Sequence, residues 1–144
     1  MKVLLLLFLA VPLMCAAQAK TARRYVKPEG TTPRPFSNAV LVGETLYVAG
    51  HIGIDPKTGK PPADVEQEIK LLLDSFQATV QKGGMAMDDL VMVTVHCPDM
   101  SLYNRFNAAY VKYFHHELPA RAFLGSGPLL FGAHFEMLGT AVKR

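Results

Sequence analysis

The segment from Asp64 to Gly84 restricts the fold more than any other part of the chain, because it predicts a helix that is apolar on one side only. The apolar side chains recur at helical spacing: Val65, Ile69, Leu72, Leu73, Phe76 and Val80. The opposite face carries Glu66, Glu68, Lys70, Asp74 and Gln77. Asp64 with Gln67 predicts an N-cap with a capping box, and Gly83-Gly84 predicts the helix end. Such a helix has to cover another layer, so we expect it to lie on a sheet.

Segments rich in β-branched residues lie on both sides of this helix. Residues 39–42 and 45–52 predict two strands joined by a tight turn at Gly43-Glu44. Residues 89–97 predict a third strand. A second helix is expected from about 101 to 115, followed by strands over 121–126 and 134–142.

The resulting order is β-β-α-β-α-β-β, which indicates an α+β fold with two helices packed on one face of a mixed sheet. The strands "TLYVAGHI" and "VMVTVHC" are apolar at nearly every position rather than at alternate ones. The sheet face away from the helices therefore needs a cover as well. Because the chain offers no third layer, we expect a second copy to supply it, which predicts a homo-oligomer.

Residues 1–19 have the pattern of a cleaved secretory signal peptide. One lysine precedes a short apolar run, and small residues follow, ending Ala17-Gln18-Ala19. The alternative is an uncleaved membrane anchor, but the apolar run is short for one. We expect an exported protein, periplasmic or secreted, with no membrane span after cleavage. Residues 20–34 follow as a flexible basic lead-in, and residues 35–144 form the folded domain.

Composition argues against several classes of function. The net charge is only +3, and much of the basic excess lies in the lead-in, so nucleic-acid binding is disfavoured. Cys97 is the single cysteine after the leader, and no Cys/His spacing resembles a metal site. The chain has no nucleophile elbow, phosphate loop or dinucleotide glycine pattern. We therefore predict neither a metal nor another cofactor.

Three charged or titratable residues near the C-terminus could form a site. Strand alternation places Arg121 on one face of its strand and places His134 with Glu136 on one face of the last strand. If the two strands lie close, Arg121 could bind a carboxylate bidentately while Glu136 handles a proton. From spacing alone, an internal Arg121–Glu136 salt bridge is the favoured alternative. His51 is interpreted as a hydrogen-bonded surface or interface histidine rather than a base.

Several segments together resemble the RidA/YjgF-type reactive-intermediate deaminases, also labelled L-PSP endoribonuclease-like. They are "RPFSNAV", "LYVAGHIGIDPKTGKPPADVEQE", "GGMAMDDLVMVTVHCPDMSLYNRFNAAYVKYF", "LPARAF" and "FEMLGTAVKR". The resemblance covers residues 35–144, and "GIDPKTG", "N-x-x-Y" and "PAR" occur in the family's order.

The resemblance implies a chorismate-mutase-like α+β fold and a homotrimer with clefts between subunits. It also implies cofactor-independent hydrolysis of enamine and imine acids to 2-oxo acids and ammonia. Arg121 matches the arginine that binds the substrate carboxylate, and Glu136 matches the acid that handles the proton or water. Asn107 and Gly50 match further binding positions.

Three positions depart from the family pattern. Phe36 stands where deaminating members usually carry a tyrosine, Phe123 where many carry a cysteine, and His51 where a glutamine is usual. The two phenylalanines make the expected cleft more apolar. They favour the alternative function of a non-catalytic, small-carboxylate-binding or chaperone-like protein of the same fold. Ribonuclease activity is the third hypothesis. It is disfavoured, because a cleft with a single arginine has few positive charges to pair with the polyanionic backbone of RNA.

The leader gives a first prediction. When the full chain is exported from a bacterial host, the mature protein should begin at Lys20, because cleavage follows the small-residue motif. N-terminal sequencing and mass spectrometry measure this directly. Ala19→Arg is the matched control and should block processing. Recovery of the wild-type chain uncleaved in the membrane fraction would instead support the anchor.

Overall fold

A computed structural model describes residues 22–27 and 34–144. The predicted leader and most of the predicted lead-in lie outside these described residues. Within them the chain forms six strands and two α-helices. The strands are β1 Arg23–Val26, β2 Ala39–Val42, β3 Thr45–Ile52, β4 Leu90–Cys97, β5 Ala120–Gly125 and β6 Glu136–Val142. The helices are α1 Val65–Lys82 and α2 Tyr103–Tyr110, with a 3-10 turn on each side of α2.

The strands form one sheet in the order β1-β2-β3-β6-β4-β5. All neighbouring pairs are antiparallel except β4 and β5, which are parallel. The sheet is therefore mixed, and the predicted α+β class is confirmed. β6, the last strand in the sequence, lies between β3 and β4.

α1 begins and ends where the sequence predicts. The Asp64 carboxylate accepts hydrogen bonds from the backbone N–H groups of Glu66 and Gln67, at 2.9 and 3.3 Å. Gly83 caps the other end, and Gly84 adopts a left-handed φ of 80° that suits glycine. The apolar face of α1 packs on the sheet and is fully buried: Ile69, Leu72, Leu73, Phe76 and Val80.

One residue of α1 does not follow the predicted pattern. Glu68 was expected on the solvent face, but none of its surface is exposed. Its carboxylate turns inwards to the chain segment that precedes β6. The helical pattern alone could not indicate this, because the partner segment is distant in sequence.

β1 corrects the prediction of a flexible lead-in for residues 23–26. These residues pair with the full length of β2, from Arg23 opposite Val42 to Val26 opposite Ala39. Arg24 also donates hydrogen bonds to the carbonyl oxygens of Lys82 and Gly83, at 2.9 and 2.6 Å. The arginine thus satisfies carbonyl groups at the C-terminal end of α1 that have no partner within the helix.

The sheet face away from the helices carries exposed apolar side chains. Its exposed members include Tyr25, Tyr47, Met92, Leu124, Leu138 and Val142. They alternate with buried residues that face the helices, such as Leu46, Val48, Met137 and Ala141. The strands are therefore apolar on both faces, as the sequence indicates, and the homo-oligomer stays a prediction. Neither described helix has the length and hydropathy that a membrane crossing requires.

The packing of the end of β3 against α1 gives a stability prediction. A Cβ atom built on Gly53 would overlap the backbone oxygen and the Cγ atom of Glu68. Gly53→Ala should therefore lower the free energy of unfolding by about 1–3 kcal/mol. Gly127→Ala is the matched control, because nothing lies within 4 Å of its added carbon. Urea unfolding at one fixed protein concentration measures both; equal stability of the two variants would contradict the packing described here.

Candidate functional site

Two pockets contain most of the residues that the sequence singled out; Phe123 and His134 line neither of them. The larger, about 680 Å³, is called here the glutamate pocket; it includes Glu136, Gly50, His51, Phe36 and Arg34. The smaller, about 400 Å³, is called the arginine pocket; its lining residues are Asn107, Tyr110, Val111, Leu118, Pro119 and Arg121. The two predicted catalytic residues therefore lie in different pockets of one chain.

The glutamate pocket is arranged around the start of β6. Glu136 is the first residue of β6 and pairs with Ile52 on β3 and His96 on β4. Its carboxylate lies over Gly50, where any added Cβ atom would overlap Glu136 Oε1. A glycine at position 50 is therefore required for the carboxylate to take this position. The structure thus brings Gly50 and Glu136 together, as the sequence predicts.

The rest of the glutamate pocket is largely apolar, with one cation. Phe36 is half exposed on its wall, close in sequence to Arg34. Phe131 is 69% exposed and has a left-handed φ of 57°, a strained conformation for a bulky residue. Sequence reasoning did not identify Arg34 or Phe131 as pocket residues, because both come from irregular segments whose course no pattern predicts.

His51 lines this pocket, but its ring is held by the chain itself. Only 8% of the residue is exposed. Nδ1 lies 2.8 Å from the carbonyl oxygen of Ala49, so Nδ1 donates, and Nε2 lies 2.8 Å from the Thr79 hydroxyl. Burial lowers the pKa of His51, which favours the neutral ring. The prediction of a hydrogen-bonded histidine is confirmed. Within the single chain the ring is buried rather than at the surface, and its place at an interface stays a prediction.

The arginine pocket fixes Arg121 by one amide and a set of aromatic rings. Arg121 on β5 donates a 2.6 Å hydrogen bond from Nη2 to Oδ1 of Asn107 on α2. The guanidinium carbon lies 4.6 Å from the Tyr110 ring centre and 5.6 Å from that of Phe123. Such contacts orient the planar group by cation–π attraction. Arg121, Asn107 and Phe123 are therefore neighbours, as expected from the family resemblance.

Arg121 has no carboxylate partner among the described residues. A guanidinium has five N–H donors, and Asn107 takes one of them. The Tyr103 hydroxyl engages a further donor, and the donors that neither side chain takes are available to an anion that enters the pocket. The alternative of an internal Arg121–Glu136 salt bridge is therefore wrong for a single chain.

Two tyrosines contact Arg121: Tyr110 lines the arginine pocket, and Tyr103 lies next to it. The hydroxyl of Tyr103 interacts with Asn107 and Arg121, and the hydrogen bond to Asn107 and the charge of Arg121 lower the pKa of Tyr103. The hydroxyl of Tyr110 is buried without a hydrogen-bond partner, and burial raises its pKa to about 12. The sequence analysis assigned neither tyrosine to the site, although Tyr110 ends the "N-x-x-Y" motif and Tyr103 lies four residues before Asn107 on the same helix face.

The sheet topology explains why Arg121 and Glu136 do not meet. Arg121 on β5 pairs with Val93 on β4, and Val93 pairs on its other side with Gly139 on β6. Glu136 is therefore roughly 10 Å away along the strands and roughly 10 Å across them. Arg121 also faces α2, whereas Glu136 alternates with Met137 and Ala141 and lies on the face away from the helices.

His134 joins neither pocket residue. Its ring nitrogen Nδ1 is 2.6 Å from Oε2 of the buried Glu68. The expectation that His134 could join Arg121 and Glu136 is therefore not met, because residue 134 lies in a bend before β6 and bonds Glu68 of α1 instead. Among the described residues, no group of three or more His, Cys, Asp or Glu side chains could hold a metal ion.

A family model described as Endoribonuclease L-PSP matches residues 28–143. The chain belongs to this family. It is 38% identical to a RutC family protein of Sulfurisphaera tokodaii, across 66% of this chain and 74% of the relative. It is 34% identical to the mouse protein named 2-iminobutanoate/2-iminopropanoate deaminase, across 76% of this chain and 82% of the relative.

Solved structures of the family share this fold. The Rid family protein YyfA of Yersinia pestis superposes with a TM-score of 0.77 at 26% identity, over 84% of this chain and 99% of that chain. E. coli TdcF, solved with bound serine, gives a TM-score of 0.73 at 25% identity, over 83% and 94% of the two chains. The RidA/YjgF resemblance and its α+β fold are thus confirmed.

The environment of Tyr103 gives a prediction for the arginine pocket. Asn107→Ala should raise the pKa of Tyr103 towards its ordinary value near 10, because the variant removes the hydrogen bond that is the largest cause of the lowered pKa. Asn104→Ala is the control, since Asn104 is an exposed residue of the same helix. A pH titration of ¹³C-labelled tyrosine by NMR, assigned with Tyr103→Phe, measures the shift. An unchanged value in Asn107→Ala would contradict the contact.

Proposed function

We propose that the protein hydrolyses small 2-imino and enamine acids to 2-oxo acids and ammonia, in clefts between copies of the chain. The observation that carries this proposal is the pair of incomplete half-sites, an anion-binding Arg121 and a carboxylate Glu136, on opposite faces of one sheet. Relatives at 33–35% identity are named as deaminases of 2-iminobutanoate and 2-iminopropanoate. Both matching residues are retained here.

A second copy would complete each cleft. If the arginine pocket of one subunit faces the glutamate pocket of the next, Arg121 and Glu136 can act on one ligand. A cyclic homotrimer would repeat this contact three times and would close without leaving unpaired pockets. The exposed apolar face of the sheet supports such an assembly, because a monomer rarely leaves so much apolar surface uncovered.

In this cleft Arg121 would hold the substrate carboxylate. Its orientation is set in advance by Asn107 and by the Tyr110 ring, so little conformational entropy is lost on binding. A bidentate pair with the guanidinium would fix the direction of the adjacent imine carbon. The carboxylate would also bring a negative charge close to the hydroxyl of Tyr103, which can donate a hydrogen bond to it.

Glu136 would act on the attacking water. Its carboxylate accepts a proton as the water oxygen bonds to the imine carbon, and the C=N bond becomes a C–N single bond. Glu136 returns this proton to the nitrogen, which gives a neutral carbinolamine. The carbinolamine collapses when its hydroxyl proton passes through Glu136 to the amine and the C–N bond breaks, so that the nitrogen leaves as ammonia. The overall reaction is imine plus water giving ketone plus ammonia, and no oxidant or cofactor takes part.

A non-catalytic protein that binds small carboxylates is the second candidate. The exposed Phe36 on the glutamate pocket and the contact of Phe123 with Arg121 favour it, because both enlarge apolar surface around the charged groups. Binding of 2-oxo acids without imine turnover would select this function.

Ribonuclease activity ranks third, since each pocket has only one arginine to pair with a polyanion. Export through residues 1–19 remains part of the proposal for any of these functions.

Complementation between two inactive variants tests the shared cleft. Arg121→Ala and Glu136→Gln should each lose turnover of 2-iminopropanoate generated in the assay. When both variants are co-expressed and purified together by two tags, every retained trimer is mixed, and about one in three of its clefts should carry an intact residue from each of two subunits. We expect turnover to return to about that fraction of the wild-type rate.

Arg23→Ala is the matched control, since Arg23 is an arginine outside both pockets. No recovery in the mixed assemblies would contradict the shared cleft. Loss of substrate binding in Arg34→Ala, with binding kept in Arg121→Ala, would move the carboxylate anchor to Arg34.

A further inference from the structure

Glu68 is a fully buried carboxylate that lines neither pocket. Burial of a carboxylate is costly unless hydrogen bonds replace the lost water. Three donors surround it. They are the backbone N–H of His134 at 2.7 Å, the backbone N–H of Phe135 at 3.3 Å and Nδ1 of His134 at 2.6 Å. All three belong to the two residues that immediately precede Glu136.

The segment that leads into Glu136 is therefore held from two sides. Glu68 binds its backbone from α1. Phe135, which is fully buried, packs its ring 5.0 Å from that of Phe106 on α2. Since Glu136 follows directly, these contacts set the position from which its side chain reaches over Gly50.

Glu68 also contacts the other strand that frames the glutamate pocket. Gly53 comes directly after β3 and packs against Glu68. The two residues are so close that a Cβ atom added to Gly53 would overlap the backbone oxygen and the Cγ atom of Glu68. β3 contributes Gly50 to the pocket and pairs Ile52 with Glu136. One side chain of α1 thus connects the chain segments on both sides of the carboxylate.

We infer that Glu68 and His134 form a positioning pair that holds Glu136 in place for reaction. The inference rests on the proposed function, and it assigns to Glu68 no contact with substrate. The pair acts through the backbone of 134 and 135. Because a catalytic carboxylate has to be placed to within a fraction of an ångström, loosening this segment should slow the chemical step and leave binding of the substrate carboxylate at Arg121 unchanged.

Two substitutions of Glu68 separate its hydrogen bonds from its volume. Glu68→Leu keeps a similar volume but removes every acceptor, and should lower kcat about 10- to 100-fold with little change in KM. Glu68→Gln keeps a carbonyl oxygen for the two backbone N–H groups and should retain most of the wild-type kcat. Glu66→Leu is the control, because it removes an acid of the same helix that bonds Arg105 at the surface.

A double-mutant cycle distinguishes positioning from general damage. In a Glu136→Gln background, Glu68→Leu should leave the residual rate unchanged, because the group that it positions is already absent. If Glu68 only maintained the fraction of folded protein, the two losses would multiply. Multiplied losses, or a wild-type kcat in Glu68→Leu, would overturn the inference.

A milder variant covers the case in which Glu68→Leu does not fold. His134→Leu removes one of the three donors and should give a smaller loss of kcat that also disappears in the Glu136→Gln background.

Amide hydrogen exchange gives a readout that needs no activity. The amides of 134 and 135 should lose protection in His134→Leu but not in Glu66→Leu, and unchanged protection would overturn the pair. The two failures can be told apart. If the wild-type protein has no imine turnover while the amides of 134 and 135 lose protection in His134→Leu as expected, the proposed function is contradicted and the hydrogen bonds of Glu68 are not.

Discussion

The insertion of β6 between β3 and β4 is the constraint on which the rest of the structure depends. It places Glu136 beside Gly50 on one side and two strands away from Arg121 on the other. Because alternate residues of a strand face opposite sides of the sheet, it also separates the carboxylate from the arginine by the thickness of the sheet. In a single chain, Glu136 and Arg121 consequently lie in two separate pockets.

Both half-sites are prepared before any ligand binds. Asn107 and three aromatic rings orient Arg121, while buried contacts of Glu68 and Phe135 hold the segment that carries Glu136. Preorganisation of this kind is expected of a protein that binds one small ligand in a fixed direction. Of the departures from the family pattern, Phe36 lines the glutamate pocket and Phe123 lies against the Arg121 guanidinium.

The sequence predicts the local elements well and the long-range contacts poorly. The hairpin around Gly43 and the limits of α1 follow from turn residues and caps, which are properties of neighbouring residues. β1 was missed because a basic, proline-flanked segment gives no strand pattern until β2 is there to pair with it. Glu68 was assigned to the surface, and Arg121 to the same pocket as Glu136, because strand order and register are not encoded in periodicity. The family resemblance predicted the site residues but not their distribution over two pockets of the single chain.

The central claim is that Arg121 and Glu136 of different copies act on one ligand. A crystal structure of the mature protein with bound 2-oxobutanoate tests it most directly. The account predicts that the ligand carboxylate lies in a bidentate pair with Arg121 of one subunit, while Glu136 of the neighbouring subunit lies within about 3.5 Å of the ligand's 2-oxo group or of a water beside it. A ligand held entirely within one chain, or an assembly in which the two pockets face away from each other, would contradict it.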